Sequence, residues 1–309
     1  MIKKDIPLKL YSNFKIGGPA KFFAIAQNLE ELSQILKDSK NLTPKVFVFG
    51  GGTNILFSDN GFDGIAIKVD IKSIEANAQS IRVGAGVLVS ELLEFCIANS
   101  LSGLEWAGGL PGTVGGAVRG NAGAYNGEIK DKILEVESLD INALNTLERN
   151  KEECKFGYRI SIFKKDLEGK EVITYVTFQL QKGNKEEIQS LIEDKINKRK
   201  LRHPLEYPNL GSTFQNVPVN KFSEKQMEQL TQYIKNDPFP LIPAAKLNFL
   251  AGLSGTRVGD AELSKKHTNF IINLGNAKAE EVKKLITLVK AKIKNLYNVE
   301  LEEEICYLN

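Results

Sequence analysis

At 309 residues, 42% of them hydrophobic, the chain is long enough to bury two or three cores, and its composition is that of an ordinary globular protein. Its 41 basic and 38 acidic residues are scattered and leave a formal net charge of +3, which excludes the electrostatic footprint of a nucleic-acid binder. Three cysteines, far apart at Cys96, Cys154 and Cys306, exclude a disulfide framework and a zinc site, so no metal is expected and a reducing compartment fits.

The opening Met1-Ile-Lys-Lys-Asp-Ile-Pro7 holds no apolar core of signal-peptide length, and no stretch approaches membrane-spanning length. A soluble cytoplasmic protein without a membrane partner is expected. Lys21 to Ala26 predicts a short strand. Asn28-Leu-Glu-Glu31 has the spacing of a capping box, with Leu29, Leu32, Ile35 and Leu36 as one apolar helix face. Val46 to Phe49 is a second strand, running into Gly50-Gly-Gly-Thr-Asn54, so this region reads as a small α/β unit. Ile65 to Val69 and Ile81 to Val87 carry further β signals. A helix is expected from about Ser90, with Leu92, Leu93, Cys96 and Ile97 inward and Asn99 near its end.

Next comes Gly108-Gly-Leu-Pro-Gly-Thr-Val-Gly-Gly-Ala-Val-Arg-Gly-Asn-Ala-Gly-Ala-Tyr125. Eight of the chain's 26 glycines lie between Gly108 and Gly127, a density at odds with any ordinary helix or strand. Backbone without Cβ atoms can converge on a phosphate or lie flat against a planar cofactor; the structural alternative is a run of surface turns. Leu110, Val114, Ala117, Val118 and Ala122 are interleaved with the glycines, unlike the polar residues of a solvated linker, which favours an ordered, buried cradle. No lysine follows these glycines as a Walker loop requires, and Gly50-Gly-Gly-Thr-Asn-Ile55 has isoleucine where a dinucleotide fingerprint needs a third small residue.

Beyond the cradle, Val136 to Leu139 and Val172 to Leu180 read as strands of an α+β region. A domain boundary is expected at Gly183-Asn184, before a long helix carrying Ile188, Leu191, Ile192 and Ile196. The basic cluster Lys195 to Arg202 suits that helix's end, and a nearby diphosphate would also suit it. A short helix starts near Ser223 with Gln226 as capping partner, and Asn269 to Leu274 is a strand. Val282, Leu285, Ile286, Val289 and Ile293 mark the last helix, and Val299 to Tyr307 a closing strand.

Seven separated motifs then stand in one order: Asn13-Phe-Lys-Ile-Gly-Gly18, Gly50 to Asn54, Gly103-Leu-Glu-Trp-Ala-Gly-Gly-Leu-Pro-Gly-Thr-Val-Gly-Gly-Ala117, Asn121-Ala-Gly-Ala-Tyr125, Phe156-Gly-Tyr-Arg-Ile-Ser161, Gly211-Ser-Thr-Phe214 and Lys266-His-Thr-Asn-Phe270. From Asn13 to Ile305 the chain resembles the flavin-dependent UDP-N-acetylenolpyruvoylglucosamine reductases, also called UDP-N-acetylmuramate dehydrogenases, of bacterial cell-wall synthesis. It lacks the tyrosine-bearing insertion of one branch and so resembles the other.

The resemblance implies an α+β fold: a two-part FAD-binding unit of the vanillyl-alcohol-oxidase/PCMH type over residues 1–68 and 69–182, and a smaller α+β substrate domain over 183–297. The strand at 298–309 would return to the first part. It implies noncovalent FAD, NADPH as co-substrate, UDP-N-acetylglucosamine enolpyruvate as substrate, and a monomer. By motif position the cofactor residues are Ile16, Gly17, Gly50, Gly51, Gly52, Thr53, Asn54, Ile55, Gly108, Pro111, Gly112, Thr113, Gly115, Gly116, Arg119, Asn121, Ala122 and Gly123.

The reaction it implies passes hydride from reduced flavin to the enolpyruvyl methylene carbon, leaving a carbanion beside a carboxylate. Ser212 is the implied proton donor, a weak acid facing a strong base; taken alone it reads as a turn serine after glycine. Arg159 is implied to bind and polarise the carboxylate; taken alone it reads as a surface residue. Tyr158, Asn216 and Lys246 are implied at the substrate. For the third catalytic group, alternation from Val299 and Leu301 to Ile305 and Tyr307 puts Glu303 on the apolar face, whereas the family's spacing selects Glu304, the residue adopted here.

Arg202, His203, Ser254 and Asp260 depart from the family's usual residues, and residues 217–243 form a longer segment than in compact members. His203 and His267 are the only histidines and read as packing or surface residues, leaving the flavin loops without one for covalent attachment. The competing readings are an FAD-linked sugar or alcohol oxidase of the same fold and a noncatalytic nucleotide-binding protein.

Overall fold

A computed structural model describes residues 1–77 and 80–308. The chain divides into two compact units, one made of Met1–Ile6, Ala20–Gly52 and Phe62–Arg199, the other of Pro7–Pro19, Thr53–Gly61 and Lys200–Asn309.

The first unit holds a four-stranded sheet in the order Lys3–Pro7, Pro19–Ala26, Phe62–Val69, Val46–Phe49. Phe62–Val69 runs parallel to both of its neighbours, and Ile65, Ala66, Ile67 and Val69 are all buried, as expected of a strand covered on both faces. The crossover helix Leu29–Ser39 starts where the capping signal predicts: Asn28 Oδ1 accepts from Glu31 N at 2.8 Å, and Glu31 returns a carboxylate to Gln27 N at 2.9 Å. A five-stranded antiparallel sheet follows in the order Thr146–Asn150, Ile133–Asp140, Glu171–Phe178, Ile81–Gly84, Ile74–Ala76. Val136, Val176 and Val83 sit opposite one another across three of its strands, each fully buried.

Helix Lys185–Arg202 belongs to this unit as far as Arg199, where the first unit ends. Ile188 and Ile192 join the core of the first unit and hold the helix there. Leu191, expected on the apolar face, is exposed, so the buried stripe is narrower than the periodicity suggests.

In the second unit Asn209–Ser212, Phe270–Asn273, Ala261–Leu263 and Arg257–Val258 form an antiparallel sheet in that order. Helix Ala279–Tyr297 buries Val282, Leu285, Ile286, Val289 and Ile293, all five of the residues its periodicity marks. Asp59 accepts from Ala279 N at 3.0 Å and Glu280 N at 3.3 Å, a carboxylate on the positive helix end. The long segment at 217–243 folds into strands Val217–Pro218, Lys235–Asn236 and Pro240–Ile242 around helix Glu224–Leu230. Phe222, Leu230 and Ile242 anchor it in the second core, and Gln226 Nε2 ties it to the Tyr297 carbonyl at 2.8 Å.

Two elements differ from expectation. The closing strand is only Cys306–Leu308, parallel to Ile55–Phe57. Val299, Leu301 and Ile305 are buried and create the alternation, but Gln215 N bonds to Glu302 O and Glu304 N to Thr213 O, so the intervening backbone bonds to a loop instead of a strand. The glycine stretch contains a helix, Val114–Arg119. Thr113 caps it, and Val114, Ala117 and Val118 are buried. Gly115 is tolerated there because a Cβ would lie 2.8 Å from Ala85 Cβ: the helix needs a glycine to pack this closely.

Candidate cofactor and active-site residues

The expected cofactor glycines of the first unit fall into two groups. A Cβ on Gly50 would meet Thr113 Oγ1 at 2.2 Å, one on Gly108 the Ile192 carbonyl oxygen at 2.4 Å, and one on Gly123 Glu128 Cγ at 2.8 Å. With Gly115, these residues are glycine because protein atoms fill the space that a side chain would need. Gly116 is different. It is exposed, and a Cβ there would meet only Thr113 Oγ1, at an ordinary 3.5 Å. Exposed Pro111 and the left-handed Gly112, with φ of 100°, lie on the same loop, and Gly51 and Gly52 end the other.

Asn121, Ala122 and Arg119 make a set of bonds within the protein. Asn121 is fully buried; its Nδ2 donates to Glu128 Oε1 at 3.1 Å and Gly157 O at 2.8 Å, and its Oδ1 accepts from Lys130 N. The Ala122 amide donates to Ala117 O and its carbonyl accepts from Ile129 N. Arg119 pairs with Glu168, and its carbonyl accepts from Ser161 Oγ at 2.7 Å. These groups brace the loop internally.

What they brace is the turn holding Tyr158 and Arg159. Gly157 and Ile160 exchange backbone hydrogen bonds at 3.0 and 3.3 Å, leaving Tyr158 and Arg159 as the two central residues. Arg159 has φ of 57°, a conformation costing roughly 1 kcal/mol outside glycine. It is half-buried, not the surface residue a lone arginine suggests, and its Nη2 donates to Gly123 O at 2.8 Å. Its guanidinium carbon lies 5.2 Å from the centre of the Tyr158 ring. A fixed cation is thus held in an over-determined turn.

In the second unit, Ser212 follows a β-bulge. Register slips between Asn209 and Ser212, Gly211 takes φ of 80°, and Asn209 Oδ1 accepts from Gly211 N at 2.9 Å. Bulges re-aim the side chain that follows them, and Ser212 emerges half-exposed opposite Phe270. Buried Asn269 fastens the next residues: its carbonyl accepts from Thr213 N, its Oδ1 from Phe214 N, and its Nδ2 donates to Phe214 O.

Thr213 O in turn accepts from Glu304 N at 2.8 Å, and Asn54 Nδ2 donates to Glu304 O at 2.9 Å. Ser212 and Glu304 therefore lie on adjoining, cross-braced backbone. Glu303 is committed elsewhere, to Lys290 Nζ at 2.6 Å and to the Tyr307 hydroxyl. Burial, reinforced by the Glu303 carboxylate, raises the Tyr307 phenol, so it remains the donor of that bond.

Other expected residues are scattered through this unit. Asn216 Oδ1 accepts from Ala244 N at 3.1 Å, at the start of helix Ala244–Leu250. Lys246 on that helix sets its ammonium 4.8 Å from the Tyr233 ring centre and 5.1 Å from that of Phe249. Ile16 is buried in the second core, and a Cβ on Gly17 would meet Phe57 Cβ at 2.7 Å. Thr53 and Ile55 flank Asn54, whose carbonyl accepts from Cys306 N. Among the departures, Arg202 and Ser254 are exposed, while Asp260 binds Arg257 and Asn276 N.

His203, His267 and Phe270 form an aromatic cluster with centroid separations of 4.8 to 5.3 Å. Burial, with the Lys235 charge, pushes His267 down to about 4, so it folds neutral. Unfolded, it titrates near ~6.5. Its contribution is therefore fully present above that pH and lost as pH falls toward 4, up to about 3 kcal/mol. His267→Gln is expected to flatten the fall in melting temperature across this window; a profile parallel to wild type would contradict the assignment. Burial pushes the Cys96 and Cys154 thiols up to about 12, which makes them inert. Among the described residues no cluster of His, Cys, Asp and Glu could hold a metal, and no helix is long and apolar enough to cross a membrane.

Comparison with known proteins places these features. The family profile of an FAD binding domain matches residues 20–143, and that of the UDP-N-acetylenolpyruvoylglucosamine reductase C-terminal domain matches 203–308. The UDP-N-acetylenolpyruvoylglucosamine reductase of Syntrophomonas wolfei is 40% identical over 306 residues, 98% of this chain and 94% of that protein. The reductase of Clostridium novyi is 36% identical over 98% of this chain and 91% of its own. The crystal structure of UDP-N-acetylenolpyruvylglucosamine reductase from Thermus caldophilus matches along the whole of both chains with a TM-score of 0.79 and 29% identity. Identity at this level over nearly the full length means that the chain belongs to the UDP-N-acetylenolpyruvoylglucosamine reductase family.

Proposed function

We propose that this chain reduces UDP-N-acetylglucosamine enolpyruvate to UDP-N-acetylmuramate for peptidoglycan synthesis, with noncovalent FAD as cofactor and NADPH as co-substrate. The observation that carries the reading is the bracing of Ser212 beside Glu304, in a chain matching such reductases over 98% of its length. The first unit fits the cofactor: Gly116 is exposed with free space where a side chain would be, and among the described residues the buried Arg199 Nη2 lacks a hydrogen-bond partner.

FAD, which the loops carrying Gly51, Gly52, Gly112 and Gly116 would hold, would supply the two-electron hydride chemistry that side chains cannot. Arg159, oriented by Gly123, binds the substrate carboxylate and offsets the charge that develops beside it. Ser212 Oγ gives its proton to the adjoining carbon; the carbanionic centre is basic enough to take it. Glu304, held on the backbone beside Ser212, hydrogen-bonds the developing enolate. The Asn216 amide nitrogen and the Lys246 ammonium, with Tyr158, serve substrate binding.

The two groups of glycines give a separable expectation. Gly115→Ala overpacks against Ala85 and costs about 1–3 kcal/mol of unfolding free energy. Gly116→Ala leaves the apoprotein as stable or up to ~1 kcal/mol more so, yet weakens FAD uptake. Denaturant unfolding and flavin titration read the two effects, and unimpaired FAD uptake by Gly116→Ala would remove that residue from the cofactor surface. The reaction itself is tested by mass spectrometry of the sugar nucleotide after incubation with NADPH. The expected product carries two additional hydrogens; NADPH consumption with an unchanged sugar nucleotide would contradict the proposal.

A further inference from the structure

Arg199, in the basic cluster that the sequence places at a helix end where a diphosphate would also suit it, is 9% exposed. Its Nε donates to Gly108 O at 2.8 Å. A Cβ on Gly109 would lie 3.0 Å from Arg199 Cδ, so the glycine pair also makes room for this side chain. Its guanidinium carbon lies 5.3 Å from the centre of the Tyr125 ring. Nη2 is buried and, among the described residues, has no hydrogen-bond partner. Burial lowers the group from its ordinary range; the neighbouring Tyr125 opposes this, and the Arg159 charge acts in the same direction as burial.

Bringing a second guanidinium toward Arg159 and burying it without a counter-charge is costly unless an acceptor completes the arrangement. Tyr125 supplies only a ring face. The remaining donor of Arg199 is planar and fixed at Nε, the geometry that suits an oxyanion. We propose that Arg199 is a further ligand-binding residue, its Nη2 donating to an oxygen of an anionic ligand, contributed by either the flavin cofactor or the sugar nucleotide. This rests on the reductase reading of the chain.

Arg199→Lys keeps the charge but loses the fork that reaches Gly108 and a ligand together; Arg199→Gln takes its place if the lysine variant does not fold. FAD affinity is read by flavin fluorescence on titrating apoprotein, and UDP-N-acetylmuramate affinity by perturbation of the oxidised flavin spectrum. A loss of about tenfold or more in FAD affinity alone assigns the oxygen to the cofactor. The same loss for the sugar nucleotide alone assigns it to the substrate. Both affinities within twofold of wild type, with only a lowered melting temperature, would overturn the proposal and leave Arg199 a hydrated structural cation. Should wild-type protein bind neither ligand, the reductase reading fails separately. Thermal stabilisation by inorganic phosphate then decides: stabilisation of wild type but not Arg199→Lys sustains the oxyanion site, and equal stabilisation overturns it.

Discussion

Ser212→Ala is expected to leave reduction of the bound flavin by NADPH at its wild-type rate while slowing the sugar-nucleotide half-reaction about 10²- to 10⁴-fold, the range of a positioned proton donor. The substitution removes one hydroxyl from a half-exposed side chain. What fixes its position is elsewhere: the Gly211 bulge, the Asn209 side chain and the Asn269 bracing of Thr213 and Phe214 all remain. Folding should be unchanged, so a slowed second half-reaction reports the lost proton. Rapid-mixing measurements of each half separate the steps. If both halves slow together, Ser212 is a structural residue and its assigned role is wrong.

The second large effect distinguishes two adjacent carboxyl groups. Glu304→Ala is expected to slow the sugar-nucleotide half-reaction about 10²-fold or more, and Glu304→Gln by less, because an amide N–H can still donate to a developing enolate. Glu303→Gln should leave that rate within about twofold. It should cost stability instead, about 1 kcal/mol, because Glu303 accepts from Lys290 and the Tyr307 hydroxyl. Rates for the three variants, with their denaturation midpoints, test the assignment. A large rate loss in Glu303→Gln would reverse it.

This pair also marks how far the sequence could be read. Alternation along residues 299–307 identified the buried Val299, Leu301 and Ile305, but it could not tell that Glu303 has local partners or that the backbone bonds to residues 213–215. Helix Ala279–Tyr297 was legible because five residues at helical spacing all face one core. The helix Val114–Arg119 was not, because glycine's low propensity is outweighed by a close approach to Ala85 that only the tertiary structure reveals.

The candidate site follows the same division. Arg159, Ser212 and Glu304 are candidates by motif alone, and the braces that hold their backbone were not legible. Asn121 and Asn269 are buried amides with partners 36 and 55 residues away, and nothing local advertises such pairings. The burial of Arg199 was not legible for a related reason. Its burial depends on Gly109 and its anchor is Gly108 O, 91 residues earlier, a relation that helix periodicity does not contain.

The most direct test of the central claim is an anaerobic rapid-mixing experiment on the purified protein, reduced with a stoichiometric amount of NADPH until its yellow colour is bleached. Mixing with UDP-N-acetylglucosamine enolpyruvate is expected to restore the oxidised flavin spectrum and to form UDP-N-acetylmuramate in equal amount. A reduced flavin that stays bleached with the sugar nucleotide, and regains colour only on admission of oxygen, would contradict the account.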